Sequence, residues 1–224
     1  MEAQEQNKIK LTIIIPTYNQ EELIVVGLDS IPTRDDIEIL IINDGSTDNT
    51  LNTILTYIQN HPEKNIRYHS FEKNKGVAAA VNYGYDNAIG EYVVLLSSDG
   101  DYFCHPTFEQ AFEQLDGTDM VYFNIEINSG DIWYLNPETH LIYGGSVKFI
   151  RREFLQQDRC PENIQLAQAM YQRFTEICTN VITDKKVIIR DNKRLIGTEN
   201  YPIVYHPTYK RGHGPVNVKI IDPL

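Results

Sequence analysis

Short apolar runs alternate with helical segments through the first 101 residues, and this alternation most constrains the fold. Runs of about five apolar residues predict buried strands, and the longer segments between them predict helices. Such runs predict strands at 11–15, where Pro16 ends the run, 37–42 and 92–96, and 66–70 predicts another short strand. The helices are predicted after Glu21, from an N-cap at Thr47 to Gln59 with Asp48 in the first turn, and over 76–88. Such alternation specifies an α/β fold built on a mainly parallel sheet.

Polar turns follow three of these strands, at residues 17–20, 43–46 and 97–101. Parallel strands end at one edge of their sheet, and ligands bind outside that edge. The three turns therefore predict one ligand site.

The second half of the chain has a different pattern. Residues 120–127 and 132–135 predict strands joined by a turn at 128–131, and 144–146 predict another turn. Residues 164–178 predict an amphipathic helix, and the tail from Asn200 predicts a loop. Because no linker or repeat divides the chain, we expect one domain over 1–224, with a nucleotide-binding half at 1–101 and an acceptor half at 102–224.

The charge balance argues against a nucleic-acid partner. The chain has 20 basic and 31 acidic residues, for a net charge of −11, without a dense basic run. A phosphorylated small ligand would then need local compensation from a divalent cation, a helix N-terminus or a few basic side chains. The cysteines at 104, 160 and 178 lack zinc spacing and predict reduced thiols. The polar N-terminus and the absence of long apolar runs predict a cytoplasmic protein, and peripheral membrane contact is left open.

Asp99-Gly100-Asp101 places two carboxylates directly after a predicted buried strand. Carboxylate oxygens suit Mg²⁺ or Mn²⁺, and such an ion would neutralise a diphosphate leaving group. Asp-Gly-Asp is also common in turns, but its position after a strand favours the metal site.

Two other turns have both a structural and a functional interpretation. Asp44 can accept a hydrogen bond from a nucleoside, or it can hold the turn before the next helix. Residues 16–19 can contact a nucleoside, or they can end the strand and cap the next helix.

Taken together, these segments resemble the family-2 inverting glycosyltransferases of the GT-A type. The resemblance rests on IIIPTYNQEEL (13–23), LDSI (28–31), IEILIINDGSTDNT (37–50), NKGVAAAVNYGYDNAIGEYVVLLSSDGD (74–101) and, more loosely, RCPENIQLAQAMY (159–171). It implies a GT-A-type, Rossmann-like nucleotide-binding domain and an inverting, metal-dependent transfer. The implied donor is a nucleoside-diphosphate sugar, with uridine the usual nucleoside.

The resemblance also implies roles for individual residues. The expected nucleotide-binding residues are Pro16, Thr17, Tyr18, Asn19, Asp44, Gly45, Lys75, Gly76 and Ser98. The expected metal ligands are Asp99, Asp101 and His213, and the expected phosphate-binding residues are Lys210 and Arg211.

Three departures from the family pattern bear on activity. The family's metal loop is usually Asp-Ser-Asp-Asp, whereas here Ser97 replaces the first Asp and Gly100 the last. The family's AARN segment has Val81 in place of its Arg. The pair that usually supplies the catalytic base falls on Gln168 and Ala169, and neither can take a proton at neutral pH. The substitute candidates are Glu162, Asp158 and Glu176.

Two hypotheses therefore remain. The first is an active glycosyltransferase that adds one sugar to a glycan or lipid-linked acceptor in polysaccharide biosynthesis. The second is a non-catalytic relative that binds a nucleotide sugar or supports a partner enzyme. A nucleotidyltransferase is disfavoured because no Gly-rich, basic loop follows the first strand.

Overall fold

A computed structural model of the chain describes residues 8–103, 107–117, 120–122, 125–127, 132–133, 148–155 and 204–206. The strands within these residues are β1 (Leu11–Thr17), β2 (Ile37–Asn43), β3 (Ile66–Ser70), β4 (Tyr92–Leu95), β5 (Tyr102–Phe103), β6 (Met120–Tyr122), β7 (Ile125–Ile127), β8 (Ile132–Trp133), β9 (Lys148–Arg151) and β10 (Val204–His206). The helices are α1 (Ile24–Asp29), α2 (Thr50–Asn60), α3 (Val77–Asn87), α4 (Thr107–Gln114) and α5 (Arg152–Leu155).

The central sheet has six strands in the order β3-β2-β1-β4-β9-β6. β1 lies parallel to both β2 and β4, and β3 lies parallel to β2. β9 runs antiparallel to β4 and to β6. Every residue of β2 is buried, and β1 is buried except for part of Pro16, as expected for strands covered on both faces. The predicted mainly parallel α/β sheet is therefore confirmed.

Helices cover both faces of this sheet. Ile13 and Ile15 of β1 share one apolar core with α1, α2 and α4, whereas Ile14 faces a second core formed with α3. α3 comes closest to β1 at Gly84, where a Cβ would overlap the side chain of Ile14. The loop before α3 lies at the carboxyl edge of the sheet, where the Lys75 amide donates to Asp44 just after β2.

The expectation that Pro16 ends the first strand is wrong, because β1 continues through Pro16 to Thr17. β4 pairs with β1 only as far as Ile14, so no ladder partner on that side faces Pro16. The Pro16 carbonyl points to this side and accepts a hydrogen bond from Ser98 Oγ. The missing N–H of Pro16 therefore costs no ladder bond.

The predicted helix start at Thr47 is also wrong, because α2 begins at Thr50 with Asn49 as its N-cap. The Thr47 amide instead donates to Asn19 Oδ1, at 2.8 Å. Asp48 Oδ1 accepts from the Thr50 amide at 3.0 Å and so serves the first turn from outside the helix. The segment before α2 is thus held both by the preceding loop and by the first turn of the helix.

Two predictions for the second half are corrected. The single strand predicted at 120–127 is two strands, since β6 pairs with β9 in the central sheet and β7 pairs with β8 and β10 in a second sheet. The tail predicted as a loop contains β10, which also pairs with β5. A local sequence pattern does not specify which strands pair, and this is why the division at 120–127 was missed. In the tail, β10 is a strand of three residues that pairs with two distant strands.

Several predictions fall outside the described residues. These are the turns at 128–131 and 144–146, the end of the strand predicted at 132–135, and the helix predicted at 164–178. Within the described part of the chain, none of the helices has the length and apolar character that crossing a bilayer requires.

Candidate functional site

The site lies at the carboxyl edge of the four parallel strands. Thr17 at the end of β1 is in register with Asn43 at the end of β2, which is in register with Ser70 at the end of β3. The acidic turn after β4, residues 97–101, emerges beside them. The strand order reverses between β1 and β4, and such a reversal opens a crevice where α/β proteins bind ligands. The predicted convergence of the polar turns is confirmed.

Residues 18–23 and 44–49 form two loops that hydrogen-bond to each other, and we call them the paired loops. Asn19 Oδ1 accepts from the Thr47 amide, and the Asn19 amide donates to Ser46 Oγ at 3.0 Å. Glu21 bonds to the other loop in the same way, through both its amide and its carboxylate. The Glu21 amide donates to Asp48 Oδ2 at 3.4 Å, and Glu21 Oε2 accepts from the Asn49 amide at 2.7 Å.

Asp48 has a pKa below its ordinary value. Slight desolvation acts to raise the pKa of this exposed carboxylate, and the hydrogen bonds from the Thr50 side chain and amide and from the Glu21 amide outweigh it. Sequence reasoning missed Glu21, Ser46 and Asp48 as bridging residues. The available signal was the tendency of Asp, Asn and Ser to bind nearby backbone amides.

Asp44 is the buried carboxylate at the centre of the edge, with 3% of its surface exposed. Its amide donates to the Thr17 carbonyl at 2.8 Å, and its Oδ1 accepts from the Lys75 amide at 2.7 Å. Asp44 therefore joins the ends of β1 and β2 to the loop before α3. Three of the predicted nucleotide-binding residues are brought together by these two bonds.

Gly45 allows the loop before α3 to approach Asp44. Its φ is +65°, which glycine adopts readily and most residues avoid. A Cβ at this position would lie 2.5 Å from the backbone nitrogen of Asn74. Gly45 thus has both a conformational and a steric reason to be glycine.

Thr17 and Tyr18 present opposite characters at the end of β1. Thr17 is buried, and none of the residues that the structure describes forms a hydrogen bond with its Oγ1. A buried hydroxyl without such a bond is costly and rare in proteins. Tyr18 is 41% exposed and offers its ring to solvent. Thr17 therefore offers hydrogen-bonding capacity, and Tyr18 offers an aromatic surface.

The acidic turn is held from two directions. Ser98 is buried and its Oγ donates to the Pro16 carbonyl at 3.0 Å, which joins the turn to β1. On the other side, the backbone carbonyl of Asp101 lies against α1, 3.0 Å from where a Cβ on Gly27 would be. Asp99 is half-buried, whereas Asp101 is only 3% exposed. The two carboxylates therefore differ in their access to a ligand.

An aromatic cluster supports the loop before α3. His69 of β3 stacks on Tyr83 of α3 with ring centroids 4.0 Å apart, and Phe71 meets both rings edge-on. Lys75 Nζ lies 4.2 Å from the centroid of the Phe71 ring. Sequence reasoning missed this cluster, in which Phe71 directly follows β3 and lies two residues after His69.

A model of the glycosyl transferase family 2 matches residues 12–190 of the chain. The chain belongs to glycosyltransferase family 2. An uncharacterized glycosyltransferase of Mycoplasma genitalium is 36% identical over 140 residues, which are 58% of this chain and 45% of that protein. The chain therefore spans less than half the length of this relative.

Two solved structures resemble the described fold. TarS of S. aureus in complex with UDP-GlcNAc has a TM-score of 0.68 at 21% identity, and the match covers 91% of this chain and 60% of that one. The mannosyltransferase PcManGT of Pyrobaculum calidifontis, in complex with GDP-Man and Mn²⁺, has a TM-score of 0.56 at 24% identity, and the match covers 69% of this chain and 48% of that one. These likenesses concern the fold, and the predicted GT-A fold is confirmed.

The acidic turn of this family-2 chain fits a hard divalent cation by its chemistry. Asp99 and Asp101 supply carboxylate oxygens, the donors that Mg²⁺ and Mn²⁺ prefer. Over the described ranges, these two do not belong to a group of three or more His, Cys, Asp or Glu side chains suited to a metal. A pair of carboxylates still suffices for Mg²⁺, which usually completes its shell with waters and substrate phosphates.

The remaining site predictions concern residues outside the described part of the chain. They are the base candidates Glu162, Asp158 and Glu176, the positions Gln168 and Ala169, the predicted metal ligand His213, and the predicted phosphate-binding residues Lys210 and Arg211. They stay predictions.

Proposed function

We propose that the chain binds a nucleoside-diphosphate sugar, with uridine as the nucleoside, and transfers the sugar with inversion to an acceptor hydroxyl. The observation that carries this proposal is the buried Thr17 hydroxyl, without a hydrogen bond from the described residues, at the end of β1. It lies at the edge where Asp44 and the acidic turn also meet. Family membership and the fold shared with a UDP-GlcNAc-binding protein support the same interpretation.

The nucleoside would occupy the crevice between the paired loops and the loop before α3. Thr17 would hydrogen-bond to it, which would satisfy the buried hydroxyl. The exposed ring of Tyr18 would stack on the base, an interaction that aromatic side chains make with any planar ring. Asp44 would accept from the base or ribose with the oxygen that does not bind the Lys75 amide. Pro16, Asn19, Gly45, Lys75 and Gly76 would also contact the nucleotide if it lies at this edge of the sheet.

The diphosphate needs positive charge, since the edge itself is acidic. Asp99 and Asp101 would hold Mg²⁺ or Mn²⁺, which when bound neutralises the charge of the departing diphosphate. Because Asp99 is the more accessible carboxylate, we propose it as the principal ligand, with Asp101 supporting it. His213, Lys210 and Arg211 are proposed to add to this charge from the tail. The structurally similar mannosyltransferase PcManGT is in complex with Mn²⁺, which favours this choice of ion.

Acceptor activation is the least supported step. Glu162 and Asp158 are the proposed bases for an acceptor hydroxyl of a glycan or lipid-linked sugar. Ala169 occupies the position where the family usually has its base, and this residue favours a second candidate function. In that alternative, the chain binds the nucleotide sugar without transferring it and supports a partner enzyme. We also propose a cytoplasmic location, where nucleotide sugars and reduced thiols would both be expected.

Calorimetric titration tests the binding part of the proposal. UDP, GDP and their sugar conjugates are titrated with and without Mn²⁺, for the native chain, Asp99→Asn and the control Asp35→Asn. Asp35 is an exposed carboxylate at the opposite edge of the sheet, so the control makes the same chemical change away from the site. We expect Mn²⁺-dependent binding of UDP that Asp99→Asn weakens more than about tenfold, the loss that even outer-shell partners of metals cause.

The results separate the candidate functions. Binding of no nucleotide by the native chain would refute both forms of the nucleotide-sugar proposal. Binding that does not depend on Mn²⁺ or on Asp99 would refute the metal site alone. Where binding is found, turnover of the donor with acceptor sugars separates the enzyme from the non-catalytic alternative.

A further inference from the structure

Asn19 has the only positive φ of any non-glycine residue in the described part of the chain, at +53°. This left-handed conformation is energetically unfavourable for residues other than glycine. It is least unfavourable for asparagine, because the side-chain amide can form local hydrogen bonds. A residue kept in such a conformation is held there by its surroundings and is a reason to look for a function.

The surroundings hold Asn19 by its backbone and by its side chain. Its amide donates to Ser46 Oγ at 3.0 Å, and Ser46 Oγ in turn donates to Asn43 Oδ1. Its Oδ1 accepts from the Thr47 amide at 2.8 Å. Asn43 lies at the end of β2, so these bonds tie Asn19 to a central strand of the sheet.

Tyr18 is therefore carried on a backbone that is held on both sides. Before it, the Thr17 carbonyl accepts from the Asp44 amide at 2.8 Å. After it, Asn19 is tied to Ser46 and Thr47. Tyr18 is 41% exposed, so the placement of its ring depends on the backbone more than on packing around the side chain.

We infer that Asn19 is a positioning residue that presents the Tyr18 ring at a set orientation relative to Asp44, and so favours a planar base between them. This inference rests on the proposed nucleotide site and deepens it. A platform that is already ordered loses less conformational entropy on binding. Asn19 acts through Tyr18, and its contribution to affinity disappears when the ring is removed.

A double-mutant cycle tests this inference by titration of the native chain with UDP and GDP in the presence of Mn²⁺. The variants are Asn19→Ala, Asn19→Gly, Asn19→Asp, Tyr18→Ala and the double variant that combines Tyr18→Ala with Asn19→Ala. Asn52→Ala is the control, since the Asn52 side chain of α2 donates an exposed hydrogen bond to the N-cap residue Asn49 and does not join one of the paired loops to the other. Thermal unfolding of each variant is measured in parallel.

We expect Asn19→Ala to weaken binding of the nucleotide about tenfold, as expected from one lost hydrogen bond together with the lost left-handed preference. Asn19→Gly keeps the conformation but loses Oδ1, so its nucleotide affinity should lie between those of the native chain and Asn19→Ala. Asn19→Asp keeps the acceptor and should bind within about threefold of the native chain, the scale of a minor energetic change. With Tyr18→Ala already present, adding Asn19→Ala should cost less than about twofold.

Three results would overturn the inference. Native affinity in both Asn19→Ala and Asn19→Gly would remove the role of Asn19 outright. Full, additive losses in the double variant would mean that Asn19 supports the fold and not the ring, and Asn19→Gly serves this comparison if Asn19→Ala does not fold. Binding of neither nucleotide by the native chain would overturn this inference together with the proposed function, and so differs from the first two results.

Discussion

Replacing Gly45 with alanine is expected to disrupt the site and the fold together. The added Cβ would lie 2.5 Å from the Asn74 nitrogen and would also overlap the backbone of Lys73. Either the loop before α3 moves away or the turn after β2 distorts. In both cases the bond between the Lys75 amide and Asp44 Oδ1, now 2.7 Å long, is lost or lengthened.

Two terms give the size of the effect on the free energy of unfolding. A non-glycine residue in the left-handed region costs about 1–2 kcal/mol. Forcing extra volume into a packed contact costs about 1–3 kcal/mol more. Gly45→Ala should therefore lower the free energy of unfolding by about 2–5 kcal/mol.

Gly117 provides a matched control. Its φ is +102°, but a Cβ there would have no atom within 4 Å among the described residues. Gly117→Ala should therefore lower the free energy of unfolding by the conformational term alone, about 1–2 kcal/mol. Urea unfolding of the two variants separates the steric term from the conformational one. UDP titration should show a loss of at least about tenfold for Gly45→Ala and native affinity for Gly117→Ala.

Equal destabilisation of the two variants would refute the steric reasoning. Native affinity for UDP in Gly45→Ala would refute the view that the contact between Gly45 and the loop before α3 holds Asp44 and Lys75 for the ligand.

Two further predictions concern the buried Thr17 hydroxyl and the dependence of stability on pH. Thr17→Val keeps the side-chain shape but removes the buried hydroxyl, so it should leave stability unchanged or raise it by up to about 1–3 kcal/mol while weakening nucleotide binding in calorimetry; a clear loss of stability would contradict this. Burial, aided by the hydrogen bond to Asp29, raises the pKa of Tyr57. The folded chain therefore keeps a proton that the unfolded chain loses, and stability should fall as the pH rises above about 10. Tyr57→Phe should reduce this fall in urea unfolding across that range, and an identical fall would refute the assignment.

Local sequence patterns predicted the local elements of the first half. The apolar run at 37–42 predicted β2 to within a residue, because a strand buried on both faces is nearly continuous in apolar residues. β3 was predicted at its observed bounds, although it is neither apolar throughout nor fully buried. The same reasoning failed at Pro16, since the missing partner on one side of β1 depends on where β4 ends. It failed again at 120–127, where two halves of one apolar run join different sheets. Strand partners are non-local, and no local pattern specifies them.

The candidate site shows the same division. Asp44, Gly45 and Lys75 were predicted by resemblance, and the structure brings them together. The conformation of Asn19 was not predicted, because it depends on amides of a loop 28 residues away in sequence. The start of α2 was misplaced for the same reason. Thr47 has the chemistry of an N-cap, but its amide and its hydroxyl both donate to Asn19 Oδ1.

The paired loops also decide where the chain can accept inserted residues. Surface loops usually tolerate insertions well, but most of the bonds between these two loops join a backbone amide of one to a side chain of the other. Adding a single residue to either loop would move these donors and acceptors out of hydrogen-bonding register. Residues 32–35, at the opposite edge of the sheet, are all exposed. A peptide tag or a reporter domain is better inserted between Pro32 and Thr33, where the site would keep its geometry.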